Sequence, residues 1–115
     1  MDQPQPFAMP DFASIDMRVG TILAAEPFPE ARKPSIKLTI DFGAELGVKR
    51  SSAQITVRYS PDQLVGRQIV AAVNLGSRRI AGFESEVLVL GACPVTHDVV
   101  LLAPDHPVPN GTRIS

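Results

Sequence analysis

Apolar and polar residues alternate most regularly from Ser35 to Phe42. Ile36, Leu38, Ile40 and Phe42 fall on one face, and Ser35, Lys37, Thr39 and Asp41 on the other. That period of two describes an antiparallel strand with one buried face. Met17 to Ala25 is also β-like, and Gly20 inside it predicts a bulge or sharp bend. Val48 to Thr56 predicts a more polar strand that carries Arg50, Ser52 and Gln54 on one face. Arg67 to Leu75 reads as a buried strand, while Glu86 to Leu90 and Val99 to Leu102 are apolar on both faces. Between these segments, Pro27, Pro29 and Pro34 punctuate a loop, and Gly43 and Gly47 bracket a turn. Tyr59 to Leu64 predicts a turn leading into a short helix, and Gly76 to Gly82 a loop holding Arg78 and Arg79. Asp11 to Asp16 predicts a short helical turn with Asp11 as its N-cap. Residues 1–10, with three prolines, are expected to form a flexible arm ahead of a single domain at 11–115. Short strands with one small helix between the third and fourth predict an all-β OB-fold, a five-stranded Greek-key barrel.

A five-stranded barrel is nearly complete by Ala92, yet the apolar run Val99-Val100-Leu101-Leu102 still follows. Strands apolar on both faces need a second covering layer. That layer is either a sixth strand packed on its own subunit or, the favoured expectation, a homodimer. In the dimer, the extra N- and C-terminal segments, including residues 93–115, serve as the interface.

Composition sharpens this picture. A chain of 115 residues has room for one core, and its 11 prolines oppose long helices. The formal charge of −1 excludes a polycationic nucleic-acid arm. The distribution says more than the total. From Arg32 to Arg79 nine basic residues face three acids, whereas the flanks hold two basic residues and nine acids. Either this is ordinary surface scatter, or it marks one basic face able to meet an anion. No signal-peptide pattern and no transmembrane-length apolar run is present, so the expected location is cytoplasmic, without membrane insertion.

Cys93 is the sole cysteine, which excludes an internal disulfide and a multi-cysteine zinc site. It follows an apolar strand and is expected to be a buried, inert thiol. Pro94 separates it from His97 and Asp98, and His97 and His106 lack metal-ligand spacing. No catalytic residue, metal or cofactor is therefore expected. The binding candidates are polar. Arg78 and Arg79, in a glycine-flanked loop, suit phosphates. Arg50, Ser52 and Gln54 suit a nucleotide edge or a peptide backbone, and Arg58 adds to the same basic segment. Asn74 either ties the following loop or touches a ligand, and Ser85 reads as a loop-closing hydroxyl. Tyr59 and Phe83 are the candidate stacking aromatics, and neither is flanked by another aromatic in sequence.

Asp16-Met17-Arg18-Val19-Gly20-Thr21-Ile22 resembles the opening of the tRNA-binding domain family. That family occurs in dimeric tRNA-binding proteins and as a tail of methionyl- and phenylalanyl-tRNA synthetases. Asn74-Leu75 and Arg79-Ile80-Ala81-Gly82-Phe83-Glu84-Ser85 are similar to a second block of it, and the resemblance spans about Phe12 to Ile114. After Ser85 the family usually places Gly-Met, whereas this chain has Glu86-Val87-Leu88-Val89-Leu90-Gly91. With Pro29-Glu30-Ala31-Arg32, Ser51-Ser52-Ala53-Gln54-Ile55-Thr56 and Pro107-Val108-Pro109-Asn110-Gly111, this looks like the CsaA branch. The resemblance implies an export-related molecular chaperone, a homodimer that binds unfolded or precursor polypeptides. The alternative it leaves is a tRNA-binding protein using the basic face. Either ligand would be taken by Arg50, Ser52, Gln54, Arg58, Asn74, Arg78, Arg79 and Ser85.

Overall fold

The structure, a computed structural model, describes residues 12–115. The arm at 1–10 and the Asp11 cap lie outside the described residues. Five strands form an antiparallel sheet in the order β3-β2-β1-β4-β7. They are β1 (Met17–Pro27), β2 (Ile36–Asp41), β3 (Val48–Ala53), β4 (Gln68–Ala72) and β7 (Leu88–Val89). Two hairpins complete the fold: β5 (Arg78–Ile80) with β6 (Phe83–Ser85), and β8 (Gly91–Val95) with β9 (Asp98–Leu101). Two single-turn helices, α1 (Gly43–Leu46) and α2 (Pro61–Leu64), follow β2 and β3.

The alternation in β2 does what its period requires. Ile36, Leu38, Ile40 and Phe42 are all 2% exposed or less and pack with Ile22, Ile55, Leu64, Ile69 and Val87. Each such side chain contributes roughly 1.5–3 kcal/mol relative to an exposed one. The α2 helix closes one end of the barrel with fully buried Leu64. Its start is written locally: Ser60 and Gln63 form a capping box and Pro61 occupies the first turn.

Strand β1 serves both halves of the barrel, pairing with β4 over Met17–Thr21 and with β2 from Thr21 to Pro27. Its bulge lies between Ile22 and Ala24, not at Gly20 as expected. Gly20 answers a packing demand instead. A Cβ there would sit 2.7 Å from the Ile40 Cγ2 and 2.8 Å from the Phe42 ring, so only glycine admits that ring. The neighbouring motif residues also build the fold. Arg18 donates to both Asp16 carboxylate oxygens (2.6 and 3.2 Å) and to the Gly111 carbonyl (3.1 Å).

No ladder joins β7 to β3; side chains close that seam. Ser51 Oγ donates to the Val87 carbonyl (2.9 Å), and the Ser52 N–H donates to Ser85 Oγ (3.0 Å). Arg50 and Glu86 complete it, the Arg50 N–H donating to Glu86 Oε2 and the Glu86 N–H to the Arg50 carbonyl. β3 ends at Ala53, earlier than expected, so Gln54 lies beyond the strand.

The segment from Cys93 onward divides in two. Residues 108–114 strap the chain's own barrel: the Gln68 amide exchanges hydrogen bonds with Val108, and Thr21 Oγ1 donates to Asn110 Oδ1. The Val19 N–H donates to Thr112, and the Gly111 N–H to Val19. The β8–β9 hairpin, by contrast, packs Val99 and Leu101 of β9 against the core and leaves Ala92, Cys93, Pro94 and Val95 of β8 exposed. Cys93 is thus not buried within its own subunit. The apolar run around it identifies a strand, and among the described residues no strand other than β9 pairs with it.

Candidate functional site

The outer face of β2 and β3 is set by their register, which pairs Lys37 with Ser52 and Thr39 with Arg50. The β5–β6 hairpin folds onto one end of this face. Sequence reading made that segment a loop; the structure makes it a two-residue hairpin. Ala81 (φ 46°) and Gly82 (φ 82°) both take the left-handed conformation that such tight turns require. The hairpin carries Phe83 against Phe28 from the 28–35 loop, edge-on, with ring centroids 5.4 Å apart. The Lys37 ammonium lies 4.7 Å from the Phe28 centroid and the Arg50 guanidinium 4.6 Å from that of Phe83. Phe83 is therefore flanked by an aromatic after all, and it is buried beneath two cations rather than open for stacking. The surface it supports is an exposed guanidinium held over a ring. Such a group accepts a stacked base on its free face or pairs with a carboxylate or phosphate at its edge.

The expected site residues separate into three groups. Arg50, Ser52, Ser85 and the hairpin arginines come together, because Arg78 pairs across from Ser85 and Ser85 accepts from Ser52. Within this group Arg79 is drawn to Glu84 (3.5 Å), whereas Arg78 has no ion-pair partner among the described residues. Gln54 instead lines a cavity beside the 28–35 loop. Asn74 lies elsewhere: its amide donates to the Ser14 carbonyl and accepts from the Asp16 N–H, which clips the turn before β1 rather than the following loop. Lys37 and Phe28 were missed. Lys37 was legible from the β2 alternation, but Phe28 sits in a proline-rich loop that carries no periodic signal.

Arg58 also stands apart, in a bidentate pair with Asp98, with Nη2 2.9 Å from Oδ2. This hydrogen bond holds the Asp98 carboxyl below its ordinary range and the Arg58 guanidinium above its own. Beside it the Leu101 N–H donates to Tyr59 Oη (3.1 Å), and the Arg67 guanidinium covers the Tyr59 ring. Together these interactions latch the β8–β9 hairpin to the α2 corner. Because the carboxyl is depressed, the latch contributes above the unfolded aspartate pKa and is lost as pH falls through the lowered folded value. The chain has one tyrosine and no tryptophan, so its emission reports this corner alone. Tyrosine emission should change on acidification of the wild type, while Asp98→Asn holds the acid-form signal throughout. Superimposable titrations would remove the latch.

The described residues hold no group of three or more His, Cys, Asp or Glu able to bind a metal, and no helix long and apolar enough to cross a membrane. Barrel and face define an OB-fold domain with a cation-covered aromatic pair on its β2–β3 surface. The chain belongs to the family described as "Putative tRNA binding domain", which matches residues 17–113. Within that family its likeness is to the CsaA type. It is 58% identical to the crystal structure of chaperone CsaA from Bacillus anthracis str. Ames, with a TM-score of 0.91 over 96% of this chain and 100% of that one. It is 46% identical to the CsaA chaperone protein from Picrophilus torridus, with a TM-score of 0.87 over 95% and 99% of the two chains. The methionine–tRNA ligase of Methanothrix thermoacetophila is 40% identical over 103 residues, 90% of this chain but 15% of the ligase. The chain thus spans about 15% of the length of the curated relatives it matches. Both of these solved CsaA structures are described as chaperones.

Proposed function

We propose that the protein is a cytoplasmic molecular chaperone that binds unfolded or export-bound polypeptides as a homodimer. The observation that carries this reading is the β8–β9 hairpin. Its β8 strand is apolar yet exposed, with Val95 at 65%, and no further strand pairs with it among the described residues. An unpaired apolar edge invites another strand, from a second copy or a client. In this reading the hairpin joins two copies. Clients lie along the β2–β3 face, where Arg50 and Ser52 offer donors to a main chain whatever its sequence. The likeness to CsaA chaperones, which extends over nearly their whole length, supports the same assignment. The test is light scattering of a chemically denatured client diluted into buffer. The protein in molar excess should suppress the aggregation, and scattering equal to that with an inert control protein would overturn the proposal.

A second reading, tRNA binding, is favoured by a different observation: Lys37, Arg50 and the unpaired Arg78 converge on the same face. Both ligands would then compete for one surface or use its two ends.

A further inference from the structure

Beside the β2–β3 face, a cavity of about 350 Å³ opens where the 28–35 loop, the segment after β3 and the tip of the β8–β9 hairpin meet. Arg32, Lys33 and His97 line it together with Gln54, Thr56 and Val57. No carboxylate lines it, and neither cation has an ion-pair partner among the described residues. Asp98, next to His97, is engaged by Arg58. Two like charges held at one cavity without a counterion raise the local potential and favour an anion there.

The hairpin tip gives an independent observation. His97 has φ +68°, the left-handed conformation that glycine adopts without steric cost and that histidine takes more readily than most side chains do. The turn thereby places an imidazole at the mouth of the cationic cavity. Size narrows the ligand further. A cavity of about 350 Å³ takes a molecule of nucleotide size. Val57, largely exposed, offers an apolar wall, and Gln54 and Thr56 add hydrogen-bonding groups.

We propose that this cavity binds a phosphomonoester of nucleotide size. Arg32 and Lys33 take the dianionic phosphate, Thr56 and the His97 imidazole donate to its oxygens, and Val57 covers the sugar or base. The ligand is either a free nucleoside monophosphate or the 5′-terminal nucleotide of a single RNA strand. The site is distinct from the Lys37–Arg50 surface and does not depend on the chaperone reading.

Calorimetric titration of the full-length protein tests it with four probes: AMP, adenosine, a 5′-phosphorylated RNA tetramer and its 5′-hydroxyl counterpart. The phosphorylated member of at least one pair should bind about tenfold or more tighter than its unphosphorylated partner. AMP binding alone identifies a free nucleotide, and tetramer binding alone identifies a strand terminus. Removing both charges with Arg32→Gln and Lys33→Gln should abolish the preference while client aggregation is still suppressed. His97→Gly should raise the thermal midpoint by relieving the left-handed strain, yet weaken phosphate binding. Equal affinities within both pairs, no binding by any probe, or affinities unchanged in the Arg32/Lys33 variant would overturn the proposal. A His97→Gly variant that binds as the wild type does would remove the imidazole from it.

Discussion

Replacing Val95 and Leu102 with aspartate should convert a dimer into a folded monomer. Both side chains are apolar and exposed in the single subunit, on or beside the hairpin that no other strand covers. A carboxylate forced unpaired into an interface costs roughly 3–5 kcal/mol. Dissociation constants should therefore rise by about a hundredfold or more. Light scattering at micromolar concentration should report a dimer for the wild type and a monomer for the variant, with the circular dichroism unchanged. A wild-type monomer, or a variant that still dimerises, would refute the interface. Cys93 supplies a second readout. It is exposed in one subunit but lies on the same hairpin, so thiol labelling should slow as concentration drives association. Truncation at residue 93 is the wrong experiment. It also removes the Val108–Ile114 strap from β1 and β4, and the barrel would fail for a separate reason.

Arg78→Glu with Arg79→Glu should abolish tRNA binding and spare client protection. The double change shifts each subunit by four charges at the hairpin that supports the Phe28–Phe83 pair. Counterion-release binding responds steeply to such a change, and its salt slope should flatten by about one for each phosphate that is no longer neutralised. Arg79 already leans on Glu84, so most of the effect should come from Arg78 alone. Peptide holding rests on apolar area and main-chain hydrogen bonds, which fade little over ordinary salt ranges. Filter binding and aggregation assays on the same preparation separate the two. Joint loss with the fold intact would mean that one surface serves both ligands. Unchanged tRNA affinity would make the arginines solvent-exposed charges and nothing more.

Much of the barrel was legible because its signals are local. β2 shows its buried face at every second residue, and Ser60-Pro61-Asp62-Gln63 writes a helix start within four positions. What escaped depends on distant partners. Gly20 is needed because of Phe42, a residue beyond the end of another strand, so its spacing resembled that of a bulge. The β5–β6 turn carries alanine at its first left-handed position, where asparagine or glycine would have signalled a hairpin. Apolar patterning marked the strand holding Cys93 but says nothing about which chain covers it. The same limit applies to the site. Arg50 and Ser52 shared a face by simple alternation, whereas Gln54 fell off the strand end and Arg58 was claimed by an aspartate 40 residues away. Ser85 was read as a closing hydroxyl, and the structure shows it accepting from Ser52 across the barrel seam.

The strap across β1 also sets a timetable for biosynthesis. Arg18 meets the Gly111 carbonyl 93 positions further along, and Val19 shares both its main-chain groups with that same stretch. At about 5–20 residues per second, a ribosome needs roughly 5–20 seconds to make the residues between these partners. Until then Val19 and Met17 lack the main-chain partners that this stretch supplies. The barrel is therefore fully bonded only once residues 108–114 have been made. Each newborn copy leaves these β1 groups unpaired until its last residues arrive.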